Sequence, residues 1–183
     1  LDPPAASPFQ AQPRQSERQM CSGETHYLWG RGYRLEVIHC EEAPSVKLQG
    51  GWIRMRVPAH YDAAKREELL LGWYRQLLRQ RLPVLLEKWQ SALKVAPGFV
   101  GIKRMKTKWG SCNTLAGRIW INLELVKKPP ECLEFIVVHE LIHLLERRHN
   151  ERFMTLIDLH LPNWREHREK LNKMPLAFNR WGY

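Results

Sequence analysis

Six consecutive residues, Val138-His139-Glu140-Leu141-Ile142-His143, hold the side chains best suited to hydrolytic chemistry. His139 and His143 stand four residues apart, a spacing that stacks them on one face of a helix. Two imidazoles so placed can share one divalent ion such as zinc. Glu140 falls between them, angled beside the ion rather than onto it. A carboxylate there can take a proton from an activated water. The competing reading is a core helix that merely contains two histidines and a glutamate. Its neighbours Leu133, Ile136, Val137, Leu141 and Ile142 are apolar, so burying those polar groups unpaired would be costly. A metal removes that cost.

A catalytic zinc needs a third protein ligand and one open position. His149 lies six residues after His143. On a continued helix it would point about 240° away from His143, so the chain has to turn between residues 146 and 150. Arg147-Arg148-His149-Asn150 suits that turn, and Asn150 can cap the next helix. His160, His167 and Glu146 are alternative third ligands, and a surface histidine in a charged loop is the bland reading of His149. The 139–143–149 spacing equals that of the metzincins, but Glu146 stands where those carry a glycine. The turn must therefore be built differently.

The elements that have to position this segment can be read from periodicity. Residues 26–29 and 33–38 read as strands joined through Gly30-Arg31-Gly32, and residues 47–48 and 52–57 as strands around Gly50-Gly51. Together they predict a small antiparallel sheet. Asp62 caps a helical stretch over residues 63–92, with apolar residues at 69, 70, 73, 77, 78, 82, 85 and 86 on one face and Pro83 expected to kink or split it. Residues 100–109 alternate like a strand, Gly110-Ser111-Cys112-Asn113 reads as a turn, and Arg118 to Asn122 as a short strand. Pro129-Pro130 then breaks the chain, and Glu131 opens the helix that carries the histidines. Further helices are expected over residues 151–160 and 164–173.

The chain has 183 residues and a formal charge of +10, from 29 Lys plus Arg against 19 Asp plus Glu. That length supports one domain with a sizeable core. Residues 1–22, with a proline-rich start, read as a flexible tail ahead of a domain over 23–183. The chain opens at Leu1 and is expected to lack an upstream portion. The positive balance favours acidic partners: nucleic acid, nucleotides or anionic surfaces, and it keeps a DNA-associated protein-processing protease or a nucleic-acid-binding protein as an alternative. No stacking motif or helix-turn-helix signature supports a dedicated nucleic-acid reader. Cys21, Cys40, Cys112 and Cys132 form no CxxC pair, which argues against a zinc ribbon and for free thiols in the cytoplasm. No apolar run is long enough to span a membrane.

Four linked blocks together resemble the YgjP-like metallopeptidase domain, a zincin-like family related to the gluzincins and the SprT-type proteases. They are residues 105–112 (MKTKWGSC), 117–122 (GRIWIN), 137–144 (VVHELIHL) and 149–153 (HNERF). Met154 stands where the family commonly carries tryptophan. The resemblance implies an α+β fold: a short antiparallel or mixed sheet packed on helices, with the HExxH helix beneath a sheet edge. It implies His139, His143 and His149 as ligands of one zinc ion and Glu140 as general base. Some relatives are described as UTP pyrophosphatases, which keeps a nucleotide substrate as an alternative to a peptide or protein.

In zincins an extended substrate can pair with the sheet edge above the active helix. Here the strand from Arg118 to Asn122 is expected to be that edge, and Trp109, Arg118, Trp120 and Asn122 are the candidates for the substrate cleft. Cys112 is expected near the cleft as a thiol; a nucleophilic role would need a paired base, and a latent fourth-ligand role is the other alternative. The cations Lys103, Arg104, Lys106 and Lys108, with Arg147 and Arg148, are expected to flank it.

Overall fold

The structure is a computed structural model, and it describes residues 18–173. It is α+β: two small sheets and four α-helices. The first sheet holds β1 (Thr25–Leu28), β2 (Arg31–His39), β3 (Ser45–Gln49) and β4 (Trp52–Val57), in the order β1-β2-β4-β3. The expected strands are present, but the sheet is mixed rather than antiparallel, because β2 and β4 run parallel. The reason lies in burial. Ile53, Met55 and Val57 of β4 are fully buried, so this strand takes the centre and the more exposed β3 is left at the edge. Gly50 and Gly51, at φ +60° and +79°, form the two-residue turn between them. The β1–β2 turn falls at Trp29-Gly30, slightly earlier than expected. Its amides donate to the carbonyls of Val126 and Lys127 (2.8 and 3.1 Å), tying this sheet to the segment that leads into the histidine helix.

Helix α1 (Ala63–Leu93) starts at Asp62, whose side chain accepts from the Lys65 amide at 2.9 Å. Leu70, Tyr74, Leu78, Leu82, Trp89 and Leu93 form its buried stripe. Pro83 neither ends nor divides this helix. The stripe continues in register on both sides of the proline, so core packing carries the helix through the lost hydrogen bond.

The second sheet holds β5 (Phe99–Lys103), β6 (Gly110–Asn113) and β7 (Arg118–Asn122), in the order β5-β7-β6. Three expectations are corrected here. The strand expected over residues 100–109 ends at Lys103. Residues 110–113 are a strand, not a turn; the turn follows at residues 114–117, where the Asn113 side chain accepts from the Ala116 amide at 3.0 Å. And β7 is the central strand, paired with β5 on one side and β6 on the other. Ile119 and Ile121, 1% and 0% exposed, hold it in the middle, so β5 and β6 are the edge strands, and the edge at the cleft described below is β6.

A 3-10 helix (Leu123–Lys127) leads to α2 (Pro130–Ile142), which carries the histidines. Pro130 occupies the first helical turn, where its missing N–H costs nothing. Then come α3 (Glu151–His160), capped by the Asn150 side chain on the Phe153 amide at 3.0 Å, and α4 (Trp164–Lys173). The expected flexible tail over 1–22 lies largely outside the described residues. Its described part is seated: Met20 is buried, and its carbonyl accepts from Arg66 at 3.2 Å. Among the described residues, no helix is long and apolar enough to cross a membrane.

A candidate metal centre at the end of the buried helix

Helix α2 is surrounded by packed apolar groups along almost its whole length, with Leu133, Val137, Val138, Leu141 and Ile142 at most 1% exposed. Its last turn delivers His139 and His143 to one face. The helix then stops in a tight turn, closed by the Leu145 and Glu146 amides donating to the Ile142 carbonyl at 2.8 and 2.9 Å. The Glu146 carboxylate accepts from the Arg148 amide at 3.2 Å. That hydrogen bond holds the carboxyl below its usual range and spends Glu146 on building the turn. Here is the substitute for a glycine: a side chain that stitches the turn together.

The turn swings His149 back onto the helix. The His139 Nε2 lies 3.2 Å from the His143 Nε2 and 3.0 Å from the His149 Nε2. Tetrahedral nitrogen ligands of zinc stand roughly 3.4 Å apart, so the cluster is close to that spacing. The proton arithmetic also asks for a cation. The His143 Nδ1 faces the Glu146 carbonyl at 3.1 Å; donating there leaves its Nε2 bare, the arrangement of a metal-ligating imidazole. The His139 Nε2 then faces two nitrogens and cannot satisfy both with one hydrogen. Extra protons are no remedy, since burial and the neighbouring rings push His139 down to about 3. A divalent ion would satisfy all three lone pairs, so the residues fit one. Among the described residues, these three histidines form the one group able to hold a metal; His160, His167 and Glu146 are not in it.

Two supporting residues fall in the sequence blocks that carry the resemblance, but nothing in the sequence assigned them a place at the site. Phe153 of α3, 2% exposed, places its ring 5.0, 4.9 and 4.8 Å from the rings of His139, His143 and His149. It forms an apolar floor for the cluster. Gly110 of β6 lies against Glu140: a Cβ there would stand 2.5 Å from the Glu140 Oε1. The strand can approach the helix this closely only without a side chain. Glu140 itself is 5% exposed. Burial raises its carboxyl to about 8 despite the nearby Lys108 charge.

A cleft of about 600 Å³ opens over these groups. It is walled by β6, by Thr114 and Leu115 of the following turn, and by Lys108, Arg147 and the three histidines with Glu140. Leu115, 94% exposed, stands at this wall. Cys112 also lines the cleft, and burial, with a smaller push from Glu140, raises its thiol to about 11.

None of the four expected cleft residues lines it. Trp109 is buried, with the Lys128 Nζ 5.1 Å from its ring. Arg118 stands over Phe99 at 5.9 Å. Trp120 packs edge-on against Phe99 at 5.2 Å and under the Lys103 Nζ at 4.5 Å. Asn122 is 0% exposed, and its Nδ2 donates to the carbonyls of Met105 and Lys108 at 2.9 and 2.7 Å. The physical reason is the strand order: with β7 in the centre, its side chains pack within the sheet layers, and the cleft falls to β6. The basic run divides in the same way. Lys103 covers Trp120, Arg104 approaches Glu124 and Glu67 at 3.6 and 3.9 Å, and Lys108 faces the cleft.

The family model described as YgjP-like, metallopeptidase domain, matches residues 6–174. No curated protein matches. Among solved structures, the metallopeptidase zymogen abylysin of Pyrococcus abyssi is similar at 21% identity and a TM-score of 0.45, over 49% of this chain and 90% of that one. The chain belongs to the YgjP-like metallopeptidase family, whose members are metal-dependent hydrolases of the peptidase type.

Proposed function

We propose, from that membership and from the three converging imidazoles, that this chain is a single-zinc peptidase that hydrolyses peptide or protein substrates. His139, His143 and His149 would hold the ion, and the observation that carries the reading is their convergence beside the buried Glu140. When bound, zinc in such a site acidifies a water and polarises a carbonyl.

The chain's own residues account for the rest. Glu140, fixed between β6 and α2, accepts the water's proton at its carboxylate and returns it to the leaving amine. The His143 ring is oriented by the Glu146 carbonyl, and Phe153 keeps water from the floor of the site. The free edge of β6 offers backbone N–H and C=O groups for an extended substrate, which would lie across the cleft as an added strand. With its thiol protonated, Cys112 takes no nucleophilic part.

The test combines metal analysis with hydrolysis of a peptide library. The wild-type chain should hold one zinc per molecule and cleave peptides, and Glu140→Gln should keep the zinc and lose turnover. Full activity in that variant sinks the proposed base. Zinc-loaded protein that releases pyrophosphate from UTP and cleaves no peptide overturns the substrate assignment.

A further inference from the structure

The cleft carries an unbalanced charge. Besides the histidines, its charged lining residues are Lys108, Arg147 and Glu140. Glu140 is buried at the bottom, whereas Lys108 and Arg147 are exposed. The two cations come from different walls. Lys108 ends the loop before β6, and Arg147 sits in the turn between α2 and α3. Many cations elsewhere on the molecule are matched with carboxylates: Arg54 with Glu36, Lys88 with Glu134, Lys127 with Glu124, Lys170 with Glu131. Among the described residues, neither the Lys108 nor the Arg147 head group makes a hydrogen bond or ion pair.

Lys108 is also held in place. The fully buried Asn122 amide donates to its carbonyl at 2.7 Å and to that of Met105 at 2.9 Å, which clamps both ends of the loop. Its backbone cannot drift from the cleft without leaving that amide unpaired. Unmatched cations on two walls of one cleft attract negative charge from whatever lies between them.

We infer that this cleft selects peptide segments bearing Asp or Glu side chains close to the scissile bond, with Lys108 and Arg147 as the specificity-determining residues. The inference rests on the peptidase reading above. Acidic side chains would bind in the ground state, so selectivity falls mainly on KM.

The experiment uses the zinc-loaded chain and three sets of quenched-fluorescence peptides. They differ only in carrying Glu, Gln or Lys at the positions flanking each cleavable bond. At low salt, kcat/KM should be roughly tenfold higher for Glu than for Gln peptides and lower again for Lys, and the gap should shrink as salt screens the contacts. In the double variant Lys108→Glu/Arg147→Glu the order should invert to favour Lys peptides, an outcome that misfolding cannot imitate. Lys103→Gln, whose lysine covers Trp120 outside the cleft, should keep the wild-type order. Cleavage of all three sets at equal rates overturns the charge selectivity and leaves the peptidase reading standing. Absence of cleavage of any set by zinc-loaded protein overturns both. Wild-type preference retained in the double variant overturns the assignment to Lys108 and Arg147.

Discussion

Gly110→Ala is the smallest change that should separate catalysis from metal binding in this site. The added Cβ would stand 2.5 Å from the Glu140 Oε1, 2.8 Å from its Cγ and 2.9 Å from the Ile136 Cγ2. Comfortable carbon contacts begin at about 3.5 Å, so something has to give by about 0.7 Å. Ile136 is 6% exposed and Glu140 5%, so neither can swing freely into solvent. The carboxylate is the softer side and takes most of the displacement. Overpacking of this size costs about 1–3 kcal/mol, or roughly 2–4 °C in Tm per kcal/mol for a domain of this length. A carboxylate misplaced by about 1 Å lowers kcat by roughly 100-fold. The three histidines lie on other contacts, so zinc content and affinity should hold. Measuring kcat, KM, Tm and bound zinc on the same preparations separates these effects. Unchanged kcat with unchanged Tm would refute the close approach of β6 to the base. Loss of zinc in step with kcat would refute the separation of base from ligands.

Two other perturbations probe the scaffold. Asn122→Ala removes the donor for the carbonyls of Met105 and Lys108; a stability loss of about 2–4 kcal/mol is expected by denaturant unfolding, with a higher KM for acidic peptides as the Lys108 loop loosens. Lys128 is 1% exposed, donates to the Leu171 carbonyl at 2.9 Å, and is lowered by burial to about 8. Its folded pKa thus lies below its unfolded value, so the unfolded chain binds the extra proton between about pH 8 and pH 10.5 and stability from this group rises with pH over that window. The stability difference between wild type and Lys128→Met should therefore shift in favour of wild type by about 3 kcal/mol from pH 8 to pH 10.5; a difference flat in pH refutes the burial of a charged amine.

The legible part of the site was the part held by one helix. His139, Glu140 and His143 share a single turn, and helical geometry alone puts them together. His149 was legible as a candidate ligand only through the demand for a turn and the resemblance of its surroundings. How the turn is made, with the Glu146 carboxylate bonding the Arg148 amide, depends on contacts that the types of residues do not specify. Strand order misled most. Alternation marked residues 118–122 as a strand but carries no information about which flank is paired. Trp120 and Asn122 therefore read as cleft residues, while Gly110 and Ser111 of the actual edge read as a turn. Glycine and asparagine, at the two ends of this segment, have low strand preference, and pairing with β7 overrode it.

By itself, then, the sequence determined the chemistry available: two imidazoles and a carboxylate on an apolar helix, a third histidine after a forced turn, and an excess of positive charge. These are local properties, decided by spacings of a few residues and by side-chain type. Only the tertiary structure decided which groups face the cleft. It set β6 as the edge at the cleft, brought Gly110 against Glu140, laid Phe153 under the imidazoles, and left Lys108 and Arg147 there while Lys103 and Arg104 took partners elsewhere. Those placements depend on which apolar strand competes best for the centre of the sheet, a comparison made across the whole chain at once.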